Sequence, residues 1–170
     1  MTAYLLGKLL LLTGCTALGV QRSLNLKHRT ACLWELRRAL ESLGRELTFS
    51  LRPLGELMEQ ARRESREETA VLFALCQEHF RRSGGESWAE SWTAALEESP
   101  LPLKETDKRL LQEAGPVLGR YDGEDQRRAL SGILTRLQEQ AEEARVEEQR
   151  LFRVYVTLGA AAGLFCLILL

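Results

Sequence analysis

The sequence predicts an all-α fold, an antiparallel helical bundle set between two terminal transmembrane helices. Three observations carry that reading. Long stretches at both ends lack charge, although the 170 residues are 28% charged as a whole. Leucines recur at helical spacing where the charged middle begins. Glycine and proline pairs then divide the rest of the middle into segments of helical length.

The ends come first. Lys8 is the only charged residue before Arg22, and no charge follows Arg153. Residues 154–170 form an uncharged run of 17. About 20 mostly apolar residues span a bilayer, with roughly 17 as the lower limit. The C-terminal run reaches that length more comfortably with Leu151 and Phe152 included and Arg153 reaching back to the interface. The N-terminal run has three readings. An uncleaved anchor is favoured, because Lys8 interrupts the apolar stretch and no small-x-small cleavage site follows. Leu12-Thr13-Gly14-Cys15 matches a lipoprotein cleavage site, but apolar residues continue through Ala17, Leu18 and Val20. A simple cleaved signal is the third.

Arg22, Lys27 and Arg29 follow the first run, and Arg150 and Arg153 precede the second. Basic residues beside a span favour the cytoplasmic side. Both clusters face the middle of the chain, so the middle is expected in the cytoplasm with both ends crossing the membrane. The expected organisation is an N-terminal anchor at 1–21, a cytoplasmic helical domain at 22–150 and a C-terminal transmembrane helix at 151–170.

In the middle, Leu33, Leu36, Leu40, Leu43 and Leu47 fall on one stripe of a helix, with Arg37, Arg38, Glu41 and Arg45 mostly turned elsewhere. The stripe marks either a coiled-coil seam or a helix packed inside one small domain. Two to three heptads are too few to specify an independent coiled coil, which favours the second. Pro53 suits the first turn of the next helix, followed by a short apolar face of Leu54, Leu57 and Met58. A helix is predicted over Glu67–Arg82, with His79 half-buried beside Cys76. Ser83-Gly84-Gly85 breaks it. Ser87, with Glu90 three residues on, has the form of a capping box, and Trp88 and Trp92 at helical spacing suit one core. Pro100 and Pro102 stop that helix. Another runs from about Glu105 to Leu118, with a kink or early end at Gly115-Pro116. The last starts near residues 122–125 and continues without glycine or proline from Ile133 to Leu158, into the C-terminal span.

Chemistry is mostly missing. There is no GxGxxG, GxxxxGK[ST] or HExxH, and neither His28 nor His79 sits in a nucleophile–base pattern. Cys15, Cys32, Cys76 and Cys166 are scattered, without a CxxC, so neither a metal site nor any other cofactor is expected. Basic and acidic residues are interspersed, which disfavours nucleic acid as a partner. An enzyme is therefore not expected. Two features carry functional readings instead. Leu118 to Gln126 forms a turn between helices, in which Asp122 caps the incoming helix; it is either an ordinary connection or a corner on which a partner docks. In the C-terminal span, Gly159 and Gly163 lie on one helix face and suit close packing of another membrane helix.

With these segments in order, the chain resembles the stage III sporulation protein AB family of endospore formers. The resemblance runs through the N-terminal span, the leucine helix into Glu46-Leu47-Thr48-Phe49, Pro53-Leu54, the Trp88/Trp92 region, the Leu118-Gly119-x-x-Asp122-x-x-x-Gln126 element and the terminal span. It implies a place in the complex linking mother cell and forespore, in the mother-cell membrane, and a domain similar to the cytoplasmic domains of type II secretion and type IV pilus platform proteins. It further implies a non-enzymatic scaffold whose partners are the sporulation secretion-type ATPase, resembling stage III sporulation protein AA, other membrane proteins of the same complex, and the lipid bilayer. The residues it singles out for partner binding are Glu46, Pro53, Leu54, Gly119, Asp122 and Gln126. Arg52 and Tyr121 depart from the usual form, which has small polar residues at those places. The alternative is a regulatory membrane protein whose helices transmit a conformational change, which requires a second populated arrangement of the middle domain.

Overall fold

The structure is a computed structural model. It describes the backbone of residues 2–49, 52–85, 87–119 and 123–168, and the side chains of 24–47, 52–85, 87–119, 125–155, 157, 158 and 161. Among the described residues seven helices follow in order: α1 (Thr2–Phe49), α2 (Leu54–Glu64), α3 (Glu67–Arg82), α4 (Trp88–Glu98), α5 (Glu105–Gln112), α6 (Ala114–Leu118) and α7 (Gly123–Ile168). The chain divides into two compact units, Ala31–Glu142, and Met1–Thr30 with Glu143–Leu170.

The larger unit is an all-α bundle. Leu33, Leu36, Leu40 and Leu43 of α1 are buried as the leucine spacing predicts, and Leu47 is half-buried. Opposite them lie Leu57 and Met58 of α2, Leu72, Phe73 and Cys76 of α3, Trp92 and Leu96 of α4, and Leu130 and Leu137 of α7. Pro53 stands one residue ahead of α2, where its φ of −60° is the value its ring imposes. Its carbonyl accepts from the N–H groups of Glu56 (3.0 Å) and Leu57 (3.3 Å). At the head of α3 the carboxylate of Glu35, on α1, accepts the backbone N–H of Arg66, which places a negative charge at the positive end of that helix.

The end of α3 shows why two glycines follow it. Gly84 and Gly85 have φ of 72° and 85°, in the left-handed region. That geometry aims the Gly85 N–H at the Phe80 carbonyl (2.9 Å) and the Gly84 N–H at that of Arg81 (3.3 Å), a Schellman closure of carbonyls otherwise left without partners. Ser87 then accepts from the Glu90 N–H at 3.3 Å and starts α4. The helix expected over Glu105–Leu118 is two pieces, parted at Glu113 just before Gly115-Pro116. α3 packs on α2 and α4, and α4 packs in turn on α5 and α6.

In the smaller unit the first part of α1 and the last part of α7 run antiparallel. Arg29, buried, pairs with Glu147 at 3.4 Å, and the Lys27 ammonium lies 5.8 Å from the Phe152 ring centroid. Most side chains of the two apolar ends, Gly159 and Gly163 among them, lie outside the described residues, and with them the expected membrane anchors. Among the described residues no helix is long and apolar enough to cross a membrane.

Candidate partner-binding face

Three of the family-pattern residues, Glu46, Pro53 and Leu54, lie beside or at the start of helix α2. Its inner flank faces α1 across a groove of about 400 Å³, floored by Ala39, Leu43, Leu57 and Ala61 and edged by Arg38, Glu46, Gln60 and Glu64. Glu46 is therefore on the groove wall. Pro53, exposed, and Leu54, half-buried, stand at the N-terminal end of the same helix. The side chain of Arg52 turns back along α2, donating to Gln60 Oε1 (2.8 Å) and Glu56 Oε2 (3.4 Å). Gln60 passes the chain on to Glu64 at 2.8 Å. At Arg52 the departure from the family pattern thus supplies a polar strap along α2.

Trp88 connects this end of α2 to the second pattern element. It is half-buried and stacks on Phe80 with ring centroids 3.8 Å apart and planes within 12°. A methyl group built on Gly55 would meet its Cζ2 at 3.9 Å, and one on Gly119 would meet its Cβ at 3.7 Å. Gly55, next to Leu54 in the chain, and Gly119 therefore both border Trp88, although 64 residues separate them in sequence. The N-terminal turn of α2 is also held by Gln77, whose Nε2 donates to the Gly55 carbonyl at 3.0 Å.

Gln126 occupies a different position from that of an exposed contact. It is 6% exposed, and its Nε2 donates to the carbonyls of Val117 (2.9 Å) and Leu118 (3.2 Å). It closes the last turn of α6 from the first turns of α7, and so fixes both ends of the Leu118–Gln126 turn. Asp122 lies outside the described residues. Gly119 is exposed with φ −83°, a backbone that any residue adopts.

The two tryptophans do not share one environment. Trp92 is buried and donates Nε1–H to the Leu111 carbonyl at 2.7 Å, whereas Trp88 reaches the surface. Nothing in their i, i+4 spacing separates them. His79 is half-buried, as expected, and its Nε2 faces Glu98 of α4 at 2.9 Å. Burial pushes the Cys76 thiol up to about 12. Burial first, and then the charges of Glu35, Glu68 and Asp107, do the same for Cys32. No group of three or more His, Cys, Asp or Glu able to hold a metal occurs among the described residues.

Polar groups among the described residues make caps, straps and ion pairs between helices, which hold an all-α bundle together. The family model of stage III sporulation protein AB matches residues 4–170, so the chain belongs to the stage III sporulation protein AB family. The stage III sporulation protein AB of Bacillus subtilis (strain 168) is 25% identical over 168 residues, covering 98% of each chain. A solved structure of a stage III sporulation protein AB shares the fold, with a TM-score of 0.67 and 24% identity, over 72% of this chain and 98% of that one. Family membership makes the chain a non-enzymatic membrane component of the sporulation machinery.

Proposed function

We propose that the chain is a membrane scaffold that recruits the sporulation secretion-type ATPase, and that the ATPase docks on the corner formed by the start of α2, Trp88 and Gly119. The observation that supports this site is that Gly55, the residue after Pro53-Leu54, and Gly119 both border the half-buried Trp88. Docking hot spots favour such a place, where a large aromatic is held rigid and partly open to a partner. The α1–α2 groove, with Glu46 on its wall, continues the surface along α2. Gln126 acts indirectly in this reading by holding the turn that carries Asp122. Gly159 and Gly163 serve the separate task of packing within the membrane.

The test is retention of the ATPase by the detergent-purified full chain. Leu54→Glu and Gly119→Lys each add charge at the corner without a forbidden backbone angle, and each is expected to weaken retention at least tenfold. Gly132→Lys is the control, because its side chain enters open space on α7. Equal retention by all three would remove the corner as the docking site.

A further inference from the structure

Charge is divided along this chain more sharply than its net of −1 suggests. Residues 1–34 hold Lys8, Arg22, Lys27 and Arg29 and no acid, and residues 149–170 hold Arg150 and Arg153 and no acid. All 24 Asp and Glu lie in residues 35–148, with the 17 Lys and Arg that remain of 23 once those six are set aside. The ends together therefore carry +6 and the stretch between them −7.

The smaller unit displays part of that positive charge on an open surface. On α7, Val146, Arg150, Arg153, Val154, Thr157 and Leu158 fall on one face at 100° per residue, and all six are exposed. Phe152, 51% exposed, is flanked by the Lys27 ammonium at 5.8 Å. The acids of this unit are Glu143, two turns before Arg150 on the same face, Glu147, which Arg29 holds, and Glu148. Cations mixed with exposed apolar side chains, leading into an uncharged run, match the boundary between headgroups and hydrocarbon. A second copy meeting this face symmetrically would set Arg150 and Arg153 close to their own counterparts, so self-association through it is disfavoured.

We infer that Lys27, Arg150 and Arg153, with Phe152 beside them, form a collar that sits in the headgroup layer and selects anionic phospholipid. The inference rests on the reading of both ends as membrane segments. It is tested with the full chain reconstituted in mixed bilayers, by comparing the immobilised fraction of spin-labelled phosphatidylglycerol with that of spin-labelled phosphatidylcholine. The expected preference for phosphatidylglycerol is about three- to fivefold at low salt, given the attraction of each cation near an anionic surface, and it shrinks in high salt. Lys27→Gln/Arg150→Gln/Arg153→Gln should bring it close to parity, and Lys27→Arg should keep it. Parity in the parent chain, or a preference that the triple variant retains, overturns the collar. Release of the parent chain from membranes by alkaline carbonate overturns the anchor reading beneath it. Retention in the membrane without lipid preference overturns the collar alone.

Discussion

Gly115, Gly119 and Gly132 are alike in sequence and different in physics. At Gly115 an added Cβ would lie 3.1 Å from the Ala89 Cα, 3.2 Å from its carbonyl oxygen and 3.1 Å from Trp92 Cδ1. Backbone cannot yield as a side-chain tip can, so Gly115→Ala is expected to force α6 away from α4 and cost about 1–3 kcal/mol. A lowered thermal midpoint of the purified chain checks it. Gly132 faces open space inside α7, so Gly132→Ala should stabilise by about 0.5–1 kcal/mol, mainly by restricting the unfolded chain. Read from sequence, Gly115 beside Pro116 is a helix breaker, and the helix does part there. Its tighter constraint, contact with the backbone of α4, involves a partner 26 residues away that no local pattern reveals. The buried thiols make another residue-scale test. With both pushed up to about 12, Cys32 and Cys76 should resist a maleimide at neutral pH in a Cys15→Ser/Cys166→Ser chain, and react once denaturant unfolds it.

Among the elements, α3 was the most readable, and its predicted limits coincide with those observed. Two glycines punctuate its C-terminal end, and its apolar face has helical period. The junction of α6 with α7 was less readable, because its key bond is tertiary. Gln126 looks from sequence like an exposed motif residue, yet it donates to two carbonyls at the end of α6 while buried. Gln126→Ala should therefore lower stability by about 1–3 kcal/mol, since both carbonyls lose a donor. In chemical denaturation Gln126→Glu should be worse, because a carboxylate faces the same acceptors. On α2, Arg62 and Arg63 donate to the Glu59 carboxylate and hold it down at about 2. A depressed carboxylate stabilises the fold above its unfolded value near 4.5, and that support is lost as pH falls towards 2. The trio is exposed, so salt should screen the effect, and a titration of α2 stability at two ionic strengths reads it.

For the whole molecule, the sequence indicates the class of fold and the order of its helices through three kinds of signal: uncharged ends, leucine period and glycine–proline breaks. It indicates the proposed docking corner only as separate pieces. Gly55, which follows Pro53-Leu54, and Gly119 both come beside Trp88 because α3 packs on α2 and α4 and α4 packs on α6, an arrangement set by packing between helices. In the proposed function this corner receives the ATPase. Its most direct measurement places a photocrosslinking amino acid at position 54, 119 or 132 of the full chain in membranes containing the ATPase. Crosslinks to the ATPase from 54 and 119, and none from 132, are the predicted result. Crosslinks from 132 with none from the other two would place the partner on α7 and contradict the account.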